Sequence, residues 1–94
     1  MKLSQESLDN DVYKVALDGG LDIAGSAQVD LPLATIAGQH DRVIIDISNV
    51  DFLASIGIRV LVKSAKAIAE RGGRMSVFGA QDAARKVLES TGVD

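Results

Sequence analysis

Six residues near the middle of the chain, Arg42-Val43-Ile44-Ile45-Asp46-Ile47, constrain the fold more than any other stretch. Four of them are apolar and β-branched, and polar pairs bound the run, His40-Asp41 before it and Ser48-Asn49 after it. β-branched side chains are stiff at χ1 and favour extended backbone. A run this short and apolar reads as a central strand buried on both faces, the habit of strands in parallel sheets. Parallel neighbours require crossovers, and the segments on either side have helical character.

The clearest helix covers residues 56–71, where Ile58, Leu61, Val62, Ala65, Ile68 and Ala69 fall at i, i+3, i+4, i+7 spacing. Arg59, Lys63, Lys66 and Glu70 fall on the opposite side, and Gly72-Gly73 stops the helix. Residues 24–38 also carry helical spacing through Ala24, Ala27, Leu31, Ala34 and Ile36, but Pro32 interrupts them. Two readings stand: a short helix over 32–39 with Pro32 in its first turn, or a longer helix from about 25 that is kinked. The longer one is preferred. Residues 2–8, the turn cluster Asp9-Asn10-Asp11 and the strand Val12–Leu17 read as an N-terminal hairpin that ends at Asp18-Gly19-Gly20. Met75–Phe78 reads as a further buried strand, and residues 81–90 as a last helix closed by Thr91-Gly92. The order is ββαβαβα. The expected fold is an α/β domain in which an N-terminal hairpin precedes βα units, giving a mixed, mainly parallel sheet with helices packed on it.

Composition narrows the chemistry. A chain of 94 residues suits a single domain over 1–94, and 47% hydrophobic with 24% charged residues is an ordinary globular balance. With no Cys and one His, thiol nucleophiles, thiolate metal sites and multi-histidine metal sites are excluded. A net charge of −3 and an aromatic share of 3% argue against nucleic-acid binding. No apolar run approaches the ~20 residues that cross a bilayer, and the N-terminus lacks the apolar stretch of a signal peptide. A cytoplasmic domain with no direct membrane insertion and no cofactor is expected.

Ser55 is the candidate functional residue, set between an extended segment and the amphipathic helix. Two readings remain open there. As an N-cap, its hydroxyl would satisfy one orphan amide and stabilise by about 1 kcal/mol. As a modification site, it would hold a phosphate against free N–H groups and the positive end of the helix dipole. Catalysis by Ser55 is disfavoured, because a serine nucleophile needs an adjacent base and His40 lies in a polar turn read as solvated. The G-x-S-x-G elbow also fails, with Gly57 in its second glycine position but Leu53 in its first. Asp22, Asp46 and Asp51 are expected to converge near Ser55, as strand C-termini and their loops share one edge of a parallel sheet. They read either as a polar rim for a partner or as caps and turn formers, with no ligand spacing that specifies a metal. Gly19-Gly20 and Gly72-Gly73 match no phosphate-loop pattern and read as turns. Lys63 and Lys66 read as a solvated face or as rim charges of an interface.

Three stretches carry a family resemblance. Leu17-Asp18-Gly19-Gly20-Leu21-Asp22 is similar to the motif L-x-G-E-L-D, with Gly20 in the glutamate place. Val43–Phe52 resembles the central-strand motif V-V-L-D-L-S-x-V-x-F, and Leu53–Leu61 resembles I-D-S-S-G-L-G-V-L. Gly72-Gly73-Arg74-Met75, Val87-Leu88 and Thr91-Gly92-Val93 fit the same family later in the chain. On these grounds the chain resembles the STAS domain, whose bacterial single-domain members are anti-sigma factor antagonists.

The resemblance implies a phosphorylation-controlled partner switch without enzymatic activity of its own. An anti-sigma factor with serine-kinase activity would bind the unphosphorylated domain, phosphorylation of Ser55 would break the complex, and a phosphatase would reset it. It implies partner contacts by Asp22, Asp46, Asp51, Ala54, Ile56, Gly57 and Arg59. Two positions depart from the motif: Ala54 stands where an aspartate precedes the acceptor, and Ile56 where a small hydroxyl residue follows it. The alternative is a non-switching accessory subunit of a membrane transporter, such as a lipid ABC system. Family members usually continue past the T-G-L equivalent with another strand and a terminal helix, so a shortened chain with a less covered edge, and a homodimer through it, are expected as well.

Overall fold

In the computed structural model, residues 1–79 are described and form a four-stranded sheet with two helices. The strands are β1 (Lys2–Ser7), β2 (Tyr13–Leu21), β3 (Arg42–Leu53) and β4 (Arg74–Phe78), arranged in the order β1-β2-β3-β4. The helices are α1 (Ile23–Gln39) and α2 (Ser55–Glu70). β1 runs antiparallel to β2, while β2, β3 and β4 are mutually parallel. The mixed, mainly parallel α/β sheet expected from the sequence is therefore present. The helix expected over 81–90 lies outside the described residues.

The hairpin turns through a short 3₁₀ segment, Asp9–Asp11, in which Asn10 and Asp11 have φ of 64° and 61°. Short polar side chains tolerate this left-handed region better than other residues carrying a Cβ.

The central strand departs from its expectation in two ways. It runs on from Ile47 to Leu53, and its burial alternates rather than extending to both faces. Val43, Ile45 and Ile47 are buried, joining Val15 and Leu17 of β2, Met75 of β4 and the inner faces of both helices in one core. Ile44 and Asp46 turn to the other face and are half-buried. Period-two alternation follows from both described helices packing on one face of the sheet.

Pairing between β2 and β3 shifts register twice, between Ala16 and Asp18 and between Gly19 and Gly20. Each shift inserts one extra residue into β3, so Gly20 pairs with Phe52 and Leu21 with Leu53. Such bulges bend a strand and re-aim its side chains. Gly19 stands beside the second irregularity with φ 119°, a backbone region that favours glycine. The Gly-Gly pair therefore lies inside β2 and does not end it.

Helix α1 spans the longer of the two ranges, with Pro32 inside it. Its buried residues are Gly25, Ser26, Val29, Leu33, Ile36 and Ala37. Ala24, Ala27, Leu31 and Ala34, whose spacing marks the segment as helical, are exposed. The helix is apolar on both sides, so spacing alone cannot say which side faces the core. Helix α2 has a sharper division: Val60, Leu61, Ser64 and Ile68 are buried, while Arg59, Lys63, Lys66 and Glu70 are exposed. Ala69 is exposed too, and Ser64 takes an inward place in its stead. Lys63 also pairs with Asp30 of α1, Nζ to Oδ1 at 2.6 Å, across the two helices.

Candidate functional site

The parallel strands β2 and β3 end side by side, and each passes directly into a helix. Two strand-to-helix junctions thus meet at one edge of the sheet. The amide of Ala54 donates to the carbonyl of Leu21 at 3.0 Å, which ties the start of α2 to the end of β2. Gly57, in the first turn of α2, is buried against the same residue. A Cβ there would lie 2.8 Å from Leu21 Cβ and 2.9 Å from its carbonyl oxygen, so only glycine fits without movement. Glycine at this place costs helix propensity. The close approach it permits sets where α2 begins.

Ser55 is the first residue of α2 and is exposed. Ala54 occupies the N-cap position, with extended φ and ψ of −82° and 164°, and provides no side-chain cap. The reading of Ser55 as an N-cap is thereby overturned. Its hydroxyl makes no hydrogen bond among the described residues and projects from the helix start. The first-turn amides of α2 thus lack a side-chain cap, which leaves the positive end of the helix dipole beside that hydroxyl.

Asp22 caps α1, accepting from the amide of Gly25 at 2.7 Å. It remains exposed at the neighbouring junction. Asp51 is the extra residue of the second β3 bulge and is exposed; its Oδ1 lies 3.6 Å from where a Cβ of Gly20 would stand. These two carboxylates therefore flank the edge that carries Ser55.

Asp46 does not join them. It pairs with Ala16 and Phe78 in mid-sheet, seven residues before the end of β3. Its Oδ1 accepts from the hydroxyl and the amide of Ser48, at 2.6 Å and 2.9 Å, and Lys14 Nζ stands 3.9 Å from Oδ2. The Ser48 hydroxyl, then the Ser48 amide and more weakly the Lys14 charge, hold its carboxyl below the usual 3.8 against an opposing effect of burial. This arrangement bridges the first bulge of β3, a local role rather than a place at the edge.

The edge is also apolar. Ile23 is 76% exposed, Phe52 57% and Ile56 37%. Ile23 opens α1, Phe52 pairs with Gly20 one residue before the end of β3, and Ile56 follows Ser55. Arg59 is exposed four residues after Ser55, on the same side of α2. Ile23 and Phe52 were not distinguishable as surface residues from sequence, because apolar residues at strand and helix ends normally read as core. His40 is half-buried at the opposite end of the sheet, stacked on Tyr13 with ring centroids 3.8 Å apart. It belongs to packing there rather than to open solvent. Among the described residues no group of three His, Cys, Asp or Glu is placed to hold a metal ion, and no helix is long and apolar enough to cross a membrane.

The described residues thus form a mixed sheet with two strand-to-helix junctions at one edge, where Ser55 and several apolar side chains are exposed. The STAS domain family model matches residues 6–94, and the chain belongs to that family. BtrV of Bordetella bronchiseptica, named as an anti-sigma factor antagonist, is 27% identical over 93 residues, covering 98% of this chain and 79% of that protein. Two solved structures share the fold. A Thermotoga maritima protein described as an anti-sigma factor antagonist superposes with a TM-score of 0.82 at 18% identity, over 96% of this chain and 78% of the other. The Bacillus cell-fate determinant SpoIIAA in its phosphorylated form gives 0.80 at 19% identity, over 98% and 85%.

Proposed function

We propose that this domain is an anti-sigma factor antagonist that works by reversible contact, and that Ser55 is the residue that switches the contact off. The observation that carries the reading is the exposed, unbonded Ser55 hydroxyl inside an apolar rim formed by Ile23, Phe52 and Ile56. Membership of the STAS family and the name of the BtrV relative support it.

The apolar rim supplies area that a protein partner buries, and Asp22, Asp51 and Arg59 supply polar contacts around it. In the kinase reaction the Ser55 hydroxyl attacks the γ-phosphorus of ATP. The bond to ADP breaks, and the hydroxyl proton passes to a base on the kinase. The product carries a charge of about −1.5 to −2. That dianion gains from the first-turn amides of α2 and from Arg59 one turn on. In the complex the same charge sits among desolvated apolar groups and near two carboxylates, so it opposes binding. A phosphatase that hydrolyses the ester restores the contact surface.

Ala54 and Ile56 shape the site in a specific way. The motif aspartate that Ala54 replaces would have placed a further negative charge at the helix start. Without it the unphosphorylated edge is less acidic and more apolar, which sharpens the contrast between the two states. Incubation with the cognate anti-sigma factor kinase and ATP should add one phosphate to the wild type and none to Ser55→Ala, as read by intact mass. Ser55→Asp should weaken partner binding at least tenfold relative to Ser55→Ala. Equal binding by both variants, with no phosphate on the wild type, would point to a constitutive assembly instead.

A further inference from the structure

Strand β1 closes one side of the sheet, and its outer edge pairs with no described strand. The backbone devices that blunt such an edge are missing from it: β1 has no proline and pairs with β2 through six consecutive residues without a bulge. Every residue of β1 except Leu3 is exposed. Leu3 packs against the core, so Lys2, Ser4 and Glu6 stand on the other face of the sheet. Lys2 and Glu6 are the two charged residues of the strand, and they are opposite in sign. The described chain leaves the sheet through β4, at the far side, with β2 and β3 between it and β1.

We infer that this edge pairs with the same edge of a second copy, the two β1 strands running antiparallel about a two-fold axis at Ser4. Geometry limits the choice of axis. In an antiparallel ladder, residues alternate between hydrogen-bonded and non-hydrogen-bonded pairs, and side chains alternate between faces. Two identical strands must therefore set even positions against even and odd against odd, which places the axis on a residue. Only Ser4 or Gln5 as the centre brings five residues of each β1 into register. Charge decides between these two. With the axis at Ser4, Lys2 of each copy lies directly opposite Glu6 of the other. With it at Gln5, Glu6 lies opposite Ser4, and Lys2 lies opposite Leu8 beyond the strand.

The same pattern already runs inside one copy, where Lys2 stands opposite Asp18 and Glu6 opposite Lys14 in the β1–β2 ladder. The Ser4 axis extends it. Lys14 and Glu6 of one copy then continue into Lys2 and Asp18 of the other, a row of alternating sign across the joined sheet, and the two-fold axis repeats that row. Opposite charges directly across an antiparallel pair stabilise it, and like charges oppose it. A strand of arbitrary sequence has no such match, whereas a second copy carries it in both directions. The axis stands perpendicular to the sheet, so the two Ser55 edges point to opposite ends and neither is covered. Five residues of strand span about 17 Å, a short contact, so the dimer forms and separates with concentration.

Sedimentation equilibrium should show the wild-type mass rising from 9.9 kDa towards twice that value between micromolar and millimolar concentration. Lys2→Glu alone sets acid against acid across the axis, and Glu6→Lys alone sets base against base, so each variant should remain at monomer mass. Mixed one to one, the two variants restore both opposite pairs, and the mixture should associate at least tenfold more tightly than either variant by itself. An unfolded variant cannot give that rescue. The chain contains no cysteine, so Ser4→Cys places a sole thiol on the axis. Residues directly opposite in an antiparallel pair have Cα atoms about 4.5–5.5 Å apart, within the span of a disulfide. Under mild oxidation Ser4→Cys should cross-link at least tenfold faster than Lys66→Cys, whose thiol lies on the exposed face of α2. A wild type that stays at monomer mass at millimolar concentration, a mixture no tighter than its components, or equal cross-linking rates for the two thiols overturns the proposal.

Discussion

Gly57 holds the position of Ser55 from a buried place in the first turn of α2. Its buried approach to Leu21 permits the Ala54 amide to reach the Leu21 carbonyl, and together these place the first turn of α2 over the end of β2. Gly57→Ala forces a Cβ into that space, where overpacking typically costs about 1–3 kcal/mol. Chemical denaturation should show a loss in that range, and the amide resonances of Leu53 to Ile58 should shift more than those of β1. The motif S-x-G around Ser55 was visible in the sequence, but the reason for its glycine was not, since the neighbour it avoids is 36 residues away.

Asp46 offers a separate test at the same scale. Its folded carboxyl titrates below the unfolded one, so its stabilising contribution is complete above the unfolded value near 3.8 and fades as the pH falls through the lower folded value. Ser48→Ala removes the hydroxyl bond that lowers it most. A carboxyl-detected NMR titration should find the Asp46 midpoint moved upward in that variant. An unmoved midpoint would show that the Ser48 hydroxyl does not hold the proton off.

At the scale of elements, α2 and the hairpin were legible because amphipathic spacing and turn residues mark them locally. Strand β3 was legible as a central strand but not in its full length. Two bulges extend its pairing past Ile47, and a bulge depends on the partner strand, which no local pattern reports. The convergence of three aspartates failed for Asp46 for a related reason: a strand that runs on six residues past Ile47 leaves that carboxylate in mid-sheet rather than at the edge. Helix α1 was legible as a helix through Pro32, yet its inner and outer faces were not. Its buried Ser26 is 1% exposed, and its hydroxyl has no hydrogen-bond partner among the described residues. Ser26→Ala removes an unsatisfied polar group from the core, so thermal denaturation should find the variant as stable as the wild type or up to about 1 kcal/mol more stable. Leu61→Ala, by contrast, empties a fully buried place in α2 and should cost about 2–5 kcal/mol.

At the scale of the molecule, one end of the sheet is specialised. The two parallel junctions bring Ser55, Asp22, Asp51 and three exposed apolar side chains to that end, while Tyr13 and His40 pack at the other. The separation follows from topology, since strand C-termini and the loops that leave them share an edge in any parallel sheet. It leaves the core free of Ser55, so a phosphate placed there would change the surface and not the fold. Phosphorylated wild type should therefore keep its melting temperature to within a few degrees. The central claim is that a phosphate on Ser55 governs partner binding, and isothermal titration of the cognate anti-sigma factor with unmodified and with fully phosphorylated protein tests it most directly. The account predicts that the phosphorylated form binds at least tenfold more weakly. Equal affinity of the two forms would contradict it.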